Sequence, residues 1–362
     1  MTEEITRPTV LEISLQNFDY NIRQIENYVK PGVKLMPVIK ANGYGTYINR
    51  RLDVINRFDI VAVATVDEGI DLRNTGYRKE IFVLNQPFAD EIPKILKYDI
   101  VVGISSLDFA EALGRAGAPV RVHVEIGTGM GRTGIHPDRL PEYVSGLPEN
   151  VTVEGIYTHF SSADNDDDYT KKQLRSFNHA LEEAKEMGLK LKYIHAAASN
   201  ALLNYPDAQF NLVRPGLIMY GYPSAEDTLE HINLRPIASL KSRITFLKEV
   251  KEGTGIGYNR SFVTTRKTKV ATVPIGYADG FRRTFSNGWE VLIRGQKVPV
   301  IGKVCMDSFM ADVTDLPEVA LGDEVVIWDN ENITLQELAD ACDTITYEIL
   351  STIGERVPRK FV

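Results

Sequence analysis

Several side chains that can do acid–base or carbonyl chemistry stand directly after short apolar runs. Lys40 closes such a run in PVIKANGYGTY (residues 37–47), and Gly43 and Gly45 follow it. A lysine at a partly dehydrated strand end can lose its proton, because burial disfavours the charged form, and the neutral amine can form a Schiff base with a carbonyl. The alternative is a lysine whose head group reaches water past an apolar stem, which is the commoner case for a lone lysine. The glycines favour the first interpretation, since they allow the close backbone approach that a phosphate-bearing ligand needs.

Four more polar residues follow other apolar runs: Arg132 in IGTGMGRTG, His159 in YTHFSSAD, Ser199 in HAAASNAL and Arg214 in VRPGLIMYG. The backbone N–H groups beyond Pro215 make the Arg214 segment a second phosphate candidate. Judged singly, a strand-end arginine usually pairs with a surface carboxylate. A histidine such as His159 or His195 is usually a hydrogen-bonded core residue. We assign His195 to the core and keep the other residues as a candidate site.

These residues need a scaffold that brings strand ends together. In SLQNFDYNIRQIENYVK, Leu15, Phe18, Ile22, Ile25 and Val29 repeat at steps of three and four, which predicts an amphipathic helix. Strand candidates follow at KLMPVI, FDIVAVA, EIFVL, DIVVGI, VRVHVEI, VEGIYTHF, KYIHAA and FNLVR. Apolar strands separated by helix-length segments indicate parallel β/α units. We therefore predict an α/β fold, a (β/α)8 barrel whose strand carboxyl ends converge on the site.

After Gly221 the sequence pattern changes. Strands joined by short Gly, Asn and Asp turns follow at SLKSRITFLKEV, KVATVPIGYA, WEVLIRG, KVPVIGKVCM and DEVVIWD. This pattern is typical of an antiparallel sheet. We predict a barrel domain over residues 1–235 and a mostly antiparallel β domain over residues 236–362, with an N-terminal strand that could join the β domain.

Composition excludes several classes of protein. The net charge of −8 and the lack of a basic block argue against nucleic acid as a partner. The N-terminus does not resemble a signal peptide and no apolar run is long enough to span a bilayer, so we expect a cytoplasmic protein without membrane contact. Cys305 and Cys342 are the only cysteines, and their spacing suits neither a disulfide framework nor a zinc site. We predict no metal.

The Lys40 motif VIKANGYG resembles the pyridoxal-phosphate attachment motif of bacterial alanine racemases. Further blocks resemble those of that family in order and at similar spacing: IGTGMGRTG, YTHFSSAD, VRPGLIMYG, GIGYNRSF, PIGYADGF, GKVCMD and TYEILSTIGERVPR. The resemblance extends over essentially the whole chain. It implies a β/α barrel followed by a β domain, a pyridoxal 5′-phosphate cofactor and a head-to-tail homodimer with shared active sites.

The resemblance also implies roles for individual residues. Lys40 would carry the cofactor covalently, His159 would lie against its ring, and Arg214 would face the pyridine nitrogen. Arg132 would face the phenolic oxygen and the substrate carboxylate. The residues implied to hold the phosphate are Tyr44, Ser199, Gly216, Leu217 and Tyr347. The partner subunit is implied to supply Tyr258 and Met306, with Asp307 of the same motif in a supporting role.

Racemization needs a base on each face of the substrate α-carbon, and the resemblance makes these Lys40 and Tyr258. Tyrosine is a poor base near neutral pH because its ordinary pKa is about 10, so neighbours such as His159 and Arg214 must favour the phenolate. Arginine stays protonated and therefore keeps the ring nitrogen unprotonated, which restrains charge delocalisation. We expect the proton to be returned, with little transamination or decarboxylation.

Two positions depart from the family pattern. Ala198 stands where relatives often have a polar residue, which removes a secondary contact near the phosphate. Glu125 stands where many relatives carry a carbamylated lysine. The alternation of VRVHVEI turns His123 and Glu125 to the face opposite Val122, Val124 and Ile126. We hypothesise that Glu125 pairs with Arg132, directly or through a water, and so orients its guanidinium.

We predict a pyridoxal-phosphate-dependent racemase that interconverts L-alanine and D-alanine and supplies D-alanine for peptidoglycan. Racemization of serine, or of a broader set of small amino acids, is the alternative within the same class. Ile345 and Tyr347, if they line the pocket, leave little room for a hydroxymethyl group and so favour alanine. A protein that binds the cofactor without catalysis is the alternative of another class. The β domain with Tyr258 argues against that alternative, since such binders resemble the barrel alone.

Overall fold

The computed structural model describes residues 5–225 and 228–362, and these form two compact units. The barrel unit comprises Phe18–Gly43 and Tyr47–Arg235. The β unit comprises residues 5–17, Tyr44–Thr46 and Pro236–Val362, so the first strand, β1 (Val10–Ile13), belongs to it. Among the described residues, none of the helices has the length and apolarity needed to cross a membrane.

The barrel unit is built on parallel strands: β2 (Lys34–Leu35), β3 (Ile60–Val63), β4 (Glu80–Val83), β5 (Val101–Ile104), β6 (Val120–Glu125), β7 (Val151–Tyr157), β8 (Tyr193–His195) and β9 (Leu212–Val213). β3 to β8 form one sheet in sequence order, and β2 pairs with β9. Isolated parallel bridges, Val38 with Ala62 and Ala198 with Arg214, join that pair to both edges of the sheet. The ring is thereby closed, which confirms the predicted (β/α)8 barrel.

Some strands are shorter than the sequence pattern predicted. β2 ends at Leu35, well before Lys40, because Pro37 has no N–H group to donate and interrupts the ladder. β7 ends at Tyr157, two residues before His159, and β9 ends one residue before Arg214. The residues of the candidate site, Lys40, His159 and Arg214, therefore lie in the segments just beyond the strands.

Helices alternate with these strands: α1 (Leu15–Tyr28), α2 (Lys40–Tyr44), α3 (Leu52–Ile55), α4 (Val66–Thr75), α5 (Ile92–Tyr98), α6 (Leu107–Arg115), α7 (Leu140–Ser145), α8 (Asp167–Glu186), α9 (Ser199–Asn204) and α10 (Thr228–His231). Three of the five residues of the predicted stripe, Phe18, Ile22 and Ile25, are buried in α1, while Leu15 is half-buried and Val29 lies just beyond the last residue of the helix. Removing such side chains from water stabilises the fold by about 1.5–3 kcal/mol each.

The β unit is mostly antiparallel, as predicted. Its further strands are β10 (Ala238–Arg243), β11 (Phe246–Val250), β12 (Gly255–Ile256), β13 (Phe262–Val263), β14 (Thr268–Val273), β15 (Glu290–Ile293), β16 (Gln296–Ile301), β17 (Phe309–Asp312), β18 (Glu324–Trp328) and β19 (Arg359–Phe361). Nine strands form one sheet in the order β11-β14-β17-β16-β15-β18-β10-β1-β19, while β12 and β13 form a separate hairpin. The helices are α11 (Leu335–Ala341) and α12 (Thr346–Ser351). β1 pairs with β10 and β19, which explains why the N-terminus belongs to this unit.

Candidate active site

The segment after Lys40 is a turn of left-handed helix. Ala41 (φ 52°, ψ 50°), Asn42 (φ 53°, ψ 46°) and Gly43 (φ 61°, ψ 49°) share this conformation. It costs roughly 1–2 kcal/mol for each residue that carries a Cβ, so neighbouring contacts must hold it. Glu68 does so, because its Oε1 accepts a hydrogen bond from the Ala41 N–H at 2.7 Å.

Glu68 was missed from the sequence, although a signal was present. It is the third residue of α4 and completes a capping box with Thr65, the T-x-x-E pattern that starts many helices. Its second oxygen, Oε2, also accepts the Ala64 N–H at 2.7 Å. One carboxylate thus joins the end of β3, the start of α4 and the turn that follows Lys40.

The Lys40 amine is set up to be neutral more often than an ordinary lysine. Partial burial lowers its pKa, and the nearby positive charge of Arg132 lowers the pKa further. The Glu68 carboxylate acts in the opposite direction. The net shift is downward, as the first interpretation of the motif required.

Arg214 is held by backbone carbonyls and imidazoles and is only 2% exposed. Its Nη1 donates to His195 Nδ1 at 2.8 Å and to the His195 carbonyl at 2.9 Å. Its Nη2 donates to the carbonyls of Thr158 at 2.7 Å and Ala196 at 2.8 Å, and lies 3.3 Å from His159 Nδ1. Among the described residues, none accepts a hydrogen bond from Nε. Burial lowers the pKa of Arg214 to about 10, so it is charged near neutral pH.

These contacts determine which ring nitrogen of each neighbouring histidine carries the proton. Arginine only donates, so His195 Nδ1 is an acceptor and the proton of this imidazole is on Nε2. His195 Nε2 lies 2.8 Å from His123 Nδ1 and donates to it. The proton of His123 is then on Nε2, a buried atom without a partner in the described part of the chain. Burial, with nearby positive charges, lowers the pKa of His123 to about 3 and that of His195 well below its ordinary value.

His159 is also neutral. Burial first, and then the charge of Arg214, lower its pKa to about 3. The two hydrogens of Arg214 Nη2 go first to the Thr158 and Ala196 carbonyls, so His159 Nδ1 at 3.3 Å receives only a shared hydrogen bond. Because arginine only donates, the proton of His159 is nevertheless on Nε2, which remains a donor. His195, which the sequence analysis assigned to the core, is fully buried but also contacts Arg214, so it belongs to this site.

The hypothesis of a direct ion pair between Glu125 and Arg132 is wrong for this structure. Glu125 is 6% exposed, and its Oε2 lies 3.1 Å from the hydroxyl of Tyr157, its register partner on β7. That hydroxyl also lies 3.0 Å from the Leu84 carbonyl. Arg132 is exposed, and in the part of the chain that the structure describes no ion pair joins it to Glu125. The short glutamate reaches the neighbouring strand, and a link to Arg132 through water stays a prediction.

Two of the predicted phosphate residues meet at a short helix. Ser199 begins α9, and its Oγ accepts a hydrogen bond from the Gly216 N–H at 3.1 Å. Leu217 starts the one-turn helix Leu217–Tyr220 directly after Gly216. In the β unit, the rings of Tyr44 and Tyr347 lie 5.9 Å apart.

The residues expected from a partner subunit lie on the surface of the β unit. Tyr258 is 66% exposed and Met306 is 52% exposed. Asp307 accepts a hydrogen bond from Arg356 at 2.6 Å, and the same guanidinium donates to Asp279 at 2.7 Å. Asp279 is fully buried, so this pair ties the Met306 segment to the core of the unit.

Comparisons with known proteins agree with these features. A family model described as "Alanine racemase, N-terminal domain" matches residues 13–224, and one described as "Alanine racemase, C-terminal domain" matches residues 237–361. The chain is 37% identical to the alanine racemase of Halothermothrix orenii over 373 residues, which cover 100% of this chain and 98% of the relative. It is 38% identical to alanine racemase 2 of Caldanaerobacter subterraneus subsp. tengcongensis over 376 residues, 100% of this chain and 96% of the relative.

Solved structures show the same likeness. The alanine racemase of Clostridium difficile 630 matches with a TM-score of 0.94 and 34% identity, over 99% of this chain and 97% of that one. The Bacillus anthracis alanine racemase with bound L-Ala-P matches with a TM-score of 0.93 and 33% identity, over 99% of this chain and 96% of that one.

Proposed function

Because this chain belongs to the alanine racemase family, we propose that it interconverts L-alanine and D-alanine with pyridoxal 5′-phosphate and with two bases, Lys40 and Tyr258. The observation that carries the proposal is the Arg214 guanidinium. Both of its Nη atoms are bound by the barrel, while no described residue accepts from Nε.

The residues of the barrel unit fit this cofactor. Arg214 Nε is a donor that suits an unprotonated ring nitrogen, since arginine keeps its own proton. The Ser199 hydroxyl, which accepts from the Gly216 N–H and keeps its own hydrogen to donate, suits a phosphate, and the lowered pKa of Lys40 suits covalent attachment through its amine. The predicted phosphate roles of Gly216, Leu217, Tyr44 and Tyr347 stay part of the proposal.

When bound, the cofactor supplies an electron sink that acidifies the substrate α-carbon. Lys40 accepts or returns the proton on one face, and its lowered pKa leaves more of the neutral amine near pH 7. Tyr258 serves the other face. His159, neutral with its proton on Nε2, would be the donor that favours the phenolate of Tyr258 supplied by a second copy.

We propose that Tyr258 and Met306 serve the site of a second copy in a homodimer. Their exposure leaves both side chains accessible to a second copy, as this role requires. Arg132, exposed on a glycine-rich loop, would bind the carboxylate of the small amino-acid substrate. A cytoplasmic location and supply of D-alanine for peptidoglycan stay predictions.

The test follows the optical rotation of L-alanine with the purified protein and added pyridoxal 5′-phosphate. Decay of the signal supports racemization, and the same assay with serine and lysine separates an alanine enzyme from a broader one. A protein that binds the cofactor yet leaves the rotation unchanged would be a cofactor-binding protein, and the proposal would be wrong.

A further inference from the structure

Helix α8 contacts two loops of the site. Tyr169 and Gln173 are one turn apart and therefore lie on the same face of the helix. The first loop, residues 127–134, follows β6 and carries Arg132. We name it the Arg132 loop. The second, residues 158–163, follows β7 and carries His159, and we name it the His159 loop.

Gln173 is fully buried and joins the two loops. Its Oε1 accepts from the Ser161 N–H at 3.0 Å and from the Ser161 hydroxyl at 3.2 Å. Its Nε2 donates to Thr128 Oγ1 at 3.4 Å. A backbone N–H only donates, so the orientation of the amide follows from the Ser161 contact.

The hydrogen bonds beyond Gln173 run in one direction. Thr158 Oγ1 donates to the Ile126 carbonyl at 2.8 Å, so it must accept from Thr128, whose hydroxyl lies 2.7 Å away. The Thr128 oxygen then accepts from Gln173. Each donor in the series from Gln173 through Thr128 to Thr158 therefore has an acceptor. The series ends at Thr158, whose backbone carbonyl accepts a hydrogen bond from Arg214 Nη2.

Tyr169 holds the tip of the Arg132 loop. Its hydroxyl donates to the Gly129 carbonyl at 3.0 Å, and a Cβ at Gly129 would collide with that hydroxyl. The base of the loop is closed by two backbone hydrogen bonds, from the Gly127 N–H to the Ile135 carbonyl and from the Ile135 N–H to the Glu125 carbonyl. Three glycines of positive φ, which have little conformational preference of their own, lie beyond it: Gly129, Gly131 and Gly134.

We propose that Gln173 and Tyr169 are positioning residues that hold the Arg132 loop in register with His159 and Arg214. The inference rests on the proposed function, in which Arg132 binds the substrate carboxylate. Neither residue touches the reacting atoms. They fix the position of the Arg132 guanidinium, so replacing either residue weakens the binding of the substrate carboxylate.

Gln173→Glu is the sharpest variant, since it keeps the shape of the side chain and the oxygen that accepts from Ser161 but replaces the Nε2 group that donates to Thr128. Thr128 must then reverse its hydroxyl, and one bond of the chain is lost. We expect KM for alanine and the inhibition constant of propionate to rise about tenfold with little change in kcat, as for a lost binding contact. Amide hydrogen exchange of residues 127–134, measured without alanine, should become faster.

Gln209→Glu is the matched control. Gln209 is 1% exposed in the same unit, accepts the Lys30 N–H at 2.8 Å and donates to the Leu202 carbonyl at 3.0 Å. The Gln209→Glu variant should lower Tm about as much as Gln173→Glu does. It should leave KM for alanine, inhibition by propionate and amide exchange of the Arg132 loop unchanged. Tyr169→Phe, which keeps the ring, should raise KM and loop exchange to a smaller degree.

The inference is wrong if Gln173→Glu matches Gln209→Glu in KM and in loop exchange. If Gln173→Glu does not fold, Tyr169→Phe decides, and wild-type KM with wild-type loop exchange overturns the inference. Failure of the proposed function is a separate result: the wild-type protein would not racemize alanine, while loop exchange would still report on Gln173.

Discussion

The contact between His195 and Arg214 allows a test with two substitutions at one position. Asn places its Oδ1 the same number of bonds from Cα as His Nδ1, and Gln places its Nε2 the same number of bonds as His Nε2. His195→Asn therefore keeps the acceptor for Arg214 and loses the donor to His123. His195→Gln keeps the donor to His123 and loses the acceptor for Arg214.

The size of each effect depends on the charge of the partner that loses its hydrogen bond, which is Arg214 in His195→Gln and neutral His123 in His195→Asn. A hydrogen bond to a charged group contributes about 1.5–3 kcal/mol, which corresponds to roughly a 10-fold to 150-fold loss of kcat/KM for His195→Gln if the whole effect is felt in the transition state. His195→Asn leaves buried His123 Nδ1 without its donor, so the free energy of unfolding should fall by about 1–3 kcal/mol while racemization is largely retained.

The assay combines optical rotation with L-alanine, the visible absorbance of the bound cofactor and urea unfolding. Arg214 retains its bond to the His195 carbonyl in both variants, so both should fold with Arg214 buried. Equal activity in the two variants, or wild-type activity in His195→Gln, would refute the argument that the imidazole acceptor positions Arg214.

Three further predictions concern the bases, Glu125 and His123. Tyr258→Phe should lose most racemization while the cofactor absorbance stays intact, and mixing it with inactive Lys40→Ala should restore activity in heterodimers, one of whose sites receives both bases; no recovery after verified subunit exchange would argue for sites built within one chain. Removal of dissolved carbon dioxide should not change wild-type activity, because Glu125 carries its carboxylate without modification; a loss that bicarbonate restores would contradict this. The pKa of His123 falls from 6.5 in the unfolded chain to about 3 on folding, so only the unfolded state takes up its proton between these values. The free energy of unfolding should therefore fall by about 1.4 kcal/mol per pH unit on acidification through that window, and His123→Phe should reduce this slope in urea titrations from pH 6.5 to 4.5; an unchanged slope would show that other groups are responsible.

The sequence by itself determined the parts of the protein that depend on local pattern. The spacing of Phe18, Ile22 and Ile25 predicted α1, because the helical repeat turns these side chains to one face. Apolar runs of strand length predicted the barrel, since strands covered on both faces need no polar alternation. Lys40 and Arg214 were found for a similar reason, as each stands at the end of such a run within a short motif.

Tertiary structure alone decided which side chains hold those residues in place. Gln173 and Thr128 are distant in sequence, as are Arg214 and His159, and only the parallel pairing of neighbouring strands from β6 to β9 brings the members of each pair together. The register of β6 on β7 sets Glu125 beside Tyr157 and not beside Arg132, and a local shift in that register occurs between Val122 and His123. A single sequence does not carry this information, because hydrogen bonds between strands depend on which residues oppose each other in space, and a slip of one residue turns every side chain to the other face.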